Sequence, residues 1–299
     1  MATPPPSTGY FFPGPSNLHA DIYPSISTCS TPSLVQPGKT VLVTGASRGI
    51  GRAIALQYAH ASVSCLILCA RNGLQLTTLE AEIKKINASI RVLRFAIDVT
   101  QDEEVRQCAE RVKSQSARLD ILVNNAGITA PWVPLAETDP SSWWQTVEVN
   151  LKGPYLMLHA FLPLLVSTAK ETAKTVDVVN ICSIGAHTVF TGASAYQLSK
   201  LAVLRLTEFV DVEYAAQGVN AVAVHPGGVP TDMGLGIEQI RPFLKDSPEL
   251  CGGFCVWLTA AARTWLAGRY VSATWDVDKL ESMKDEILEE DKLKVRMVL

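Results

Sequence analysis

The sequence predicts a single α/β domain built around a doubly wound parallel β-sheet with helices on both faces. Two observations carry this prediction. Short strand-like runs alternate with stretches of helical periodicity, which is typical of βαβ units and of a parallel sheet. A glycine-rich turn, Gly45–Gly51, joins the first of these runs directly to a helical stretch. Both features are typical of the Rossmann fold.

The strands are predicted from β-branched and aliphatic runs bounded by turn residues. In chain order they are Thr40–Thr44, Ser64–Ala70, Arg91–Ile97, Leu119–Val123 and Val176–Ile181. The predicted helices are Leu74–Asn87, Gln101–Ser116 and the strongly apolar Leu151–Val166. In such a sheet, ligands bind beyond the carboxyl ends of the strands, so the residues that follow each strand are the first candidates for a site.

The two ends of the chain differ from its middle. Residues 1–38 contain eight of the seventeen prolines and one charged residue, Asp21, which predicts a disordered or loosely docked extension. Residues 39–280 are expected to form the Rossmann domain. Residues 281–299 form a helical tail, as part of a surface helix predicted over Lys279–Leu299.

Composition excludes several function classes. A net charge of −3 argues against an extended nucleic-acid-binding surface, which is usually basic. Seven cysteines without a Cys-x-x-Cys pair indicate a reducing compartment, so a cytoplasmic protein is expected. The five histidines show no metal-ligand spacing, so no metal site is expected. No uncharged stretch is long and apolar enough to predict a membrane span.

The glycine turn predicts a dinucleotide site. Gly45 permits a tight turn, Gly49 lets backbone N–H groups approach a pyrophosphate, and Gly51 lets the helix pack closely on the strand. The N terminus of the following helix then faces the anion. Ser47 and Ile50 lie in the same turn and are expected to contact the cofactor with it.

The charges near this turn favour NADP(H) over NAD(H). An NAD-type site needs a carboxylate about 20 residues past the glycines, but no Asp or Glu occurs from Thr40 to Leu79. Arg48 and Arg71 lie there instead, and guanidinium groups bind a 2′-phosphate through charge-assisted hydrogen bonds. The alternative is that both arginines are ordinary surface residues.

Further candidates follow the next two strands. Asp98, followed by Val99, is placed where a carboxylate accepts a hydrogen bond from an adenine amino group. Asn125, Ala126 and Gly127 come directly after the fourth strand. Because these residues all follow strand ends, they should line one crevice with Gly45 and Arg71.

A second group of residues carries chemistry. Tyr196 and Lys200 lie four residues apart on a predicted helix, so both point the same way. Ser183 follows a predicted strand, and Asn150 begins the apolar helix. A phenol can protonate the oxygen of a carbonyl that receives a hydride, a nearby ammonium favours the phenolate, and a hydroxyl can stabilise the developing charge.

Together these motifs resemble the classical short-chain dehydrogenase/reductase family, from about Gly38 to about Leu280. They are TGASRGIG at Thr44–Gly51, NNAG at Asn124–Gly127, Asn150, Ser183, YQLSK at Tyr196–Lys200, and PGGVPTD at Pro226–Asp232. The resemblance implies an oxidoreductase that transfers a hydride between a nicotinamide cofactor and a small-molecule substrate.

The resemblance also implies roles. Tyr196 would be the catalytic acid/base, and Ser183 would orient the substrate oxygen. Lys200 would bind the nicotinamide ribose and lower the pKa of Tyr196, while Asn150 would support a proton-relay water. The cofactor would also be contacted at the last motif, by Pro226, Gly227, Val229 and Thr231.

The substrate is less defined. Apolar residues from Met233 to Leu244 indicate either a mobile lid or an ordinary helical excursion, and Trp132, Trp143 and Phe190 are candidate aromatic walls. A small apolar substrate is therefore preferred. Two other functions stay open: an inactive nucleotide-binding regulator, and an epimerase or dehydratase of the same superfamily.

Two helices predict self-association. Leu151–Val166 and the helix that carries Tyr196 are apolar around most of their circumference, and such helices must be buried on a second side. A homodimer or homotetramer with these helices at its seam, including Phe161 and Phe209, would bury them.

Overall fold

The computed structural model describes residues 8–297 and contains a seven-stranded parallel sheet. The strand order is β3-β2-β1-β4-β5-β6-β7, so the predicted doubly wound fold class is confirmed. The strands are β1 (Thr40–Thr44), β2 (Cys65–Ala70), β3 (Arg91–Ala96), β4 (Ile121–Asn124), β5 (Val176–Ile181), β6 (Val219–His225) and β7 (Tyr270–Ser272). The order reverses between β1 and β4, which sets the ligand crevice at their carboxyl ends.

Helices cover both faces of the sheet. They are α1 (Gly49–His60), α2 (Gly73–Ile86), α3 (Asp102–Ser116), α4 (Pro140–Val147), α5 (Gly153–Thr172), α6 (Ser194–Tyr214), α7 (Asp232–Leu235), α8 (Pro248–Ala260), α9 (Val277–Ser282) and α10 (Lys284–Glu289). One π-helical turn, Glu148–Lys152, joins α4 to α5.

The central strand supplies side chains to two hydrophobic cores. Val41 and Val43 of β1 pack in one core with Ile54 of α1 and Leu76 of α2, and Leu42 packs in the other core. Because both faces are covered, a strand of this sheet is apolar at nearly every position instead of alternating. This is why the strands were recognisable as continuous runs.

The five predicted strands are all present, with small shifts at their ends. The structure also contains β6, β7 and α8, which are not among the elements predicted above. Helix α5 extends to Thr172 and so takes up most of the connection before β5.

The described part of the N-terminal extension is firmly packed, unlike the predicted disordered or loosely docked segment. Three short 3₁₀ turns organise it, each with a proline in its first two positions: Pro15–Asn17, Pro24–Ile26 and Pro32–Leu34. Ile26 and Leu34 are buried in the core, and the Gln36 side chain donates to the Val256 carbonyl of α8 (2.9 Å). The last two of these turns are each held by a single buried apolar residue, so the segment shows no periodic pattern of apolar residues in its sequence.

The C-terminal tail is also less regular than predicted. Instead of one helix over Lys279–Leu299, the chain forms α9 and α10, and Asp291 and Leu293 then adopt positive φ angles that end the helix. The carbonyl of Leu293 accepts a hydrogen bond from the Tyr270 N–H at the edge strand β7 (2.8 Å). Tertiary pairing therefore replaces the helix that local spacing favoured.

Within residues 8–297, one helical stretch, Pro140–Thr172, is long and apolar enough by composition to cross a membrane. Half of the most apolar part of this stretch is buried inside the fold. Buried core helices can have the same length and composition, so the stretch is weak evidence for a membrane span. Within the fold, Met157, Phe161 and Leu165 of α5 are completely buried in the second core.

Candidate active site

The glycine turn forms a cradle at the end of β1. Gly45 has φ +64°, and a Cβ there would lie 2.9 Å from the Asn125 amide nitrogen and from the Ala126 Cα. A Cβ on Gly51 would lie 2.3 Å from the Gly45 carbonyl oxygen. Only a hydrogen atom fits in place of a side chain at these two positions, so the turn can be this tight. The tight turn exposes the N terminus of α1, where backbone N–H groups can bind a pyrophosphate, so the cradle fits a dinucleotide.

The loop after β4 braces this cradle. The Thr44 hydroxyl accepts hydrogen bonds from the backbone N–H groups of Asn125 (2.9 Å) and Ala126 (3.1 Å). The Asn125 amide donates to the carbonyls of Thr44 (3.0 Å) and Gly45 (3.3 Å). Asn125 is thus a positioning residue for the turn, and Gly127 lines the cleft beside it.

The two arginines predicted to bind a phosphate lie in different surroundings. Arg71 lies exposed after β2 and forms no ion pair or hydrogen bond with any described residue. Arg48 forms an ion pair with Asp232 at the start of α7. The segment between residues 40 and 79 contains no acid, but folding brings Asp232 to the cleft from the segment after β6. This contact is not visible in the local sequence around Arg48.

Asp98 and Val99 follow β3, as expected, and both line the cleft. One Asp98 oxygen accepts from the N–H (2.9 Å) and hydroxyl (2.8 Å) of Thr100, which fixes the carboxylate. Glu104 accepts from the Asp98 N–H (2.7 Å) and holds the turn from α3.

Ser183 and Tyr196 meet at the centre of the cleft. Ser183 lies two residues after the end of β5, and its hydroxyl oxygen accepts from the Gly185 N–H (3.0 Å), which leaves the hydroxyl proton free for another partner. Tyr196 lies on the first turn of α6 and lines the same cleft. Burial raises the pKa of Tyr196 to about 12, and the neighbouring Ser183 hydroxyl opposes the rise.

Lys200 lies one turn further along α6, with its ammonium 5.7 Å from the centre of the Tyr196 ring. The ammonium donates to the Ile181 carbonyl (2.9 Å), and burial lowers the pKa of Lys200. The resemblance implied that Lys200 lowers the pKa of Tyr196. Burial is the largest influence on the pKa of Tyr196 in this structure, and the effect of Lys200 on it stays a prediction.

Asn150 lies in the π-helical turn and is completely buried. Its amide oxygen accepts from the Ile128 N–H (2.8 Å), and its nitrogen donates to the Ile128 carbonyl (2.9 Å) and to the Ser199 hydroxyl (3.0 Å). These bonds join the loop after β4 to α6. The side chain is therefore a positioning residue, and it continues a helix instead of starting one.

The segment after β6 closes the cleft on one side. Pro226, Gly227, Val229 and Thr231 all line it, and the Thr231 hydroxyl caps α7 by accepting from the Gly234 N–H (3.2 Å). Residues 232–244 form α7 and a 3₁₀ turn, Glu238–Phe243, which add apolar lining.

The aromatic candidates separate. Trp132 and Phe190 line the cleft with stacked rings whose centres are 6.4 Å apart. Trp143 does not line it and instead donates to Ser194 (3.0 Å), which joins α4 to α6.

Sequence reasoning missed several lining residues because distant segments meet here. They are Thr8, Tyr10, Phe11, His19, His187, His225, Tyr270 and Trp275. Burial lowers the pKa of His225 to about 3, and its Nδ1 accepts from the Ile184 N–H (3.2 Å), so this ring is neutral. The aromatic run at Tyr10–Phe12 within a proline-rich stretch was the available signal.

The cleft as a whole has a volume of about 2500 Å³ and extends from Arg71 to the N-terminal extension. This space is larger than an ordinary small-molecule pocket, so it can hold a dinucleotide and a second molecule. Within residues 8–297, no group of three or more histidine, cysteine, aspartate or glutamate side chains is arranged to hold a metal ion.

Comparison with known proteins agrees with this geometry. Residues 39–240 match the family model of the short chain dehydrogenases. A short chain dehydrogenase of Monascus purpureus, mpl6, is 50% identical to this chain over 299 residues, and the alignment covers 99% of each of the two chains. The crystal structure of a short chain dehydrogenase from Salmonella enterica serovar Typhi superposes with a TM-score of 0.74 at 28% identity, covering 81% of this chain and 98% of the other. A short chain dehydrogenase from Escherichia coli, crystallised with NADPH, has a TM-score of 0.73 at 26% identity with the same coverage.

Proposed function

The chain belongs to the short chain dehydrogenase family, and on that premise we propose that it interconverts a carbonyl and an alcohol on a small apolar molecule with NADP(H). The observation that carries the proposal is that Ser183 and Tyr196 line the same cleft as the glycine cradle. An acid, a hydroxyl and a dinucleotide cradle in one cleft are what carbonyl reduction requires.

The residues of the cradle fit a nicotinamide dinucleotide. Gly45, Ser47, Gly49 and the first turn of α1 would hold its pyrophosphate, and Asp98 would accept from its adenine. When bound, the reduced cofactor supplies a hydride, which is chemistry that no side chain can provide. The protein's own part is to bind, to orient and to supply a proton.

Tyr196 supplies that proton. With a pKa raised to about 12, the phenol stays protonated at neutral pH and is held as a donor. In reduction it gives its proton to the substrate oxygen. In alcohol oxidation it would first have to ionise, so at neutral pH the phenol is in the protonation state that the reduction step needs.

Ser183 holds the substrate oxygen beside the phenol. Its oxygen accepts from the Gly185 N–H, and its hydroxyl hydrogen is available to an oxygen bound next to Tyr196. Such a fixed donor needs no reorganisation when negative charge develops on the oxygen.

The preference for NADP(H) rests on Arg71. It is exposed at the cofactor end of the cleft with no partner within residues 8–297, and Arg48 lies near with Asp232 as a competitor. An unpaired guanidinium after β2 favours a ligand that carries a 2′-phosphate. The complex of the Escherichia coli relative with NADPH supports the same preference.

The test measures NADPH oxidation by the purified chain against a panel of aliphatic and aromatic carbonyl compounds, with Tyr196→Phe as the matched variant. We expect turnover that falls about 10²–10⁴-fold in the variant, while NADPH binding and thermal stability are retained. Absence of turnover with intact NADPH binding would favour the nucleotide-binding regulator. Products at an unchanged oxidation level would favour the epimerase or dehydratase.

A further inference from the structure

The N-terminal extension forms part of the wall of the active-site cleft. Thr8, Tyr10 and Phe11 line the same cleft as Ser183 and Tyr196. The family match begins only at residue 39, so the fold shared by the family does not supply this wall.

The contacts of the extension place it on the substrate half of the cleft. Its partners follow β5 and β7: His187 lies four residues after Ser183, and Trp275 lies three residues after the end of β7. Arg71 follows β2, near the opposite edge of the sheet. In this topology the adenosine half of a dinucleotide lies over β1 to β3, so the extension borders the space left for a substrate.

A buried histidine holds the beginning of the wall. The Nε2 of His187 is 2.6 Å from the Thr8 carbonyl, and because a carbonyl only accepts, this nitrogen carries the proton. Burial lowers the pKa of His187, which keeps the ring neutral with one nitrogen as donor. The ring also meets Tyr270 edge-on at 4.6 Å between centres.

The segment that follows is clamped onto the strand edge. The ring of Phe12 lies 4.7 Å from that of Trp275, and Leu18 forms an antiparallel bridge with Trp275. The His19 N–H donates to the Thr274 carbonyl (2.7 Å). Tyr10 and Phe11 therefore lie on a backbone that is fixed on both sides.

Trp275 carries a donor without an acceptor. The residue is 1% exposed, and its indole N–H has no hydrogen-bond partner among the described residues. Buried donors without partners are rare in folded proteins. The indole nitrogen is itself buried, and the Trp275 ring supports the wall by packing against Phe12 and Tyr270.

The wall presents aromatic surface to the cleft. Tyr10 and Phe11 contact each other edge-to-face with centres 4.8 Å apart, and both are more than one third exposed. Trp132 and Phe190 provide a second aromatic surface in the same cleft. Exposed aromatic rings beside a binding site are typical of ring recognition, because aromatic groups pack face-on or edge-on against one another.

We propose that Tyr10 and Phe11 are specificity-determining residues that select a flat aromatic carbonyl compound. The proposal deepens the proposed function and rests on it for the identity of the reacting group. The extension acts on recognition, through KM, and leaves the proton transfer at Tyr196 untouched.

The experiment compares the full chain with the double variant Tyr10→Ala/Phe11→Ala. The matched control is Val35→Ala, an exposed apolar residue of the same extension that does not line the cleft. Two ketones serve as probes, 2-acetylnaphthalene and the small aliphatic 2,3-butanedione. Binding of 2-acetylnaphthalene is also measured by tryptophan fluorescence in the presence of NADP⁺, where reduction cannot occur.

We expect the double variant to lose roughly tenfold in binding and in kcat/KM for 2-acetylnaphthalene, through KM. Its kcat/KM for butanedione, its NADPH affinity and its melting temperature should stay within the range of the Val35→Ala control. An equal loss for both probes, or no loss for either, overturns the proposal, as does failure of the unmodified chain to bind 2-acetylnaphthalene. Binding that depends on Tyr10 and Phe11 without any turnover would instead overturn the proposed function and leave the aromatic wall standing.

Discussion

Arg48 of the glycine turn forms an ion pair with Asp232 of α7 across the mouth of the cofactor cleft. The two residues are 184 positions apart in sequence, and both side chains are largely exposed. The pair links the turn that would receive the cofactor to the segment after β6 that lies over it. A 2′-phosphate would compete with Asp232 for the same guanidinium.

The first prediction follows from this competition. Asp232→Asn removes the carboxylate and leaves Arg48 available, so NADPH should bind about two- to fivefold more tightly, because an exposed ion pair is weak. NADH affinity should not change. Fluorescence titration of both cofactors measures this, and weaker NADPH binding in the variant would mean that Asp232 instead orders the segment around the cofactor.

The second prediction concerns Arg71, the arginine without a competing acid. Arg71→Ala should weaken NADPH binding by about 1.5–3 kcal/mol, the usual value of a hydrogen bond to a charged group, and leave NADH binding unchanged. Arg106→Ala, an exposed arginine on α3, is the control. Equal losses for the two cofactors would remove Arg71 from phosphate recognition.

The third prediction is the pH profile of reduction. A phenol must be protonated to act as the acid, and burial raises the pKa of Tyr196 to about 12. The reduction rate should therefore stay flat from about pH 6 to pH 9. The Ser183 hydroxyl opposes the rise, so Ser183→Ala should lower the rate without moving a decline into this range. A wild-type rate that falls between pH 7 and 9 would indicate a lowered pKa, as the family resemblance implied.

The fourth prediction concerns a carboxyl at the opposite end of the sheet. Asp177 of β5 is buried, and desolvation raises its pKa to about 7, although Lys39 and the Asn220 amide act against the rise. The folded state therefore holds a proton that the unfolded chain releases near pH 4. Stability from this group is full at low pH and is lost as the pH rises from about 4 to 7.

Asp177→Asn should abolish that decline. A shift of three pKa units corresponds to at most about 4 kcal/mol. As the pH rises from about 4 to 7, the free energy of unfolding of the wild type should therefore fall by up to this amount relative to that of the variant. Urea unfolding at several pH values measures it, with the exposed Asp102→Asn as control. Parallel pH curves for the wild type and Asp177→Asn would contradict the prediction.

Local signals were sufficient where one segment builds a feature alone. The strand, glycine turn and helix from Thr40 to His60 are contiguous in sequence. The glycines of the turn occupy positions where a side chain would clash or where φ is positive, so the motif alone predicts the turn. Ser183, Tyr196 and Lys200 were likewise placed correctly in one cleft, because strand ends and a helix register fix their directions.

Long-range contacts were not predictable in the same way. The bond from His187 to Thr8 joins residues 179 positions apart, and neither residue has a neighbour that suggests the other. The extension was predicted to be loosely held because prolines and serines give no periodic signal, yet buried Ile26 and Leu34 anchor it. A cytoplasmic location stays a prediction.

Helix α6 carries a continuous part of the exposed apolar surface of the described residues. Leu198, Leu201, Phe209 and Val212 are exposed along one side of this helix. Beside it, Trp144, Leu151, Tyr155 and Leu206 border a shallow groove between α4, α5 and α6. Phe161, by contrast, is completely buried in the chain's own core, so its expected place at a subunit seam was wrong. Most of the apolar side chains around helix α5 are buried against the sheet and α3.

The last prediction is that a second copy of the chain covers this α6 surface. A stripe of exposed apolar side chains on one helix, next to an apolar groove, is what a two-fold interface buries on both partners at once. Phe209→Asp should therefore convert a dimer or tetramer into a smaller species, as measured by light scattering at micromolar concentration, without loss of the fold. Leu135→Ala, an exposed apolar residue away from α6, should leave the mass unchanged. A wild-type mass near 32.3 kDa, the mass of one chain, would contradict the prediction. If the oligomer forms, activity should fall together with the mass in Phe209→Asp, because the helix that carries Phe209 also carries Tyr196 and Lys200.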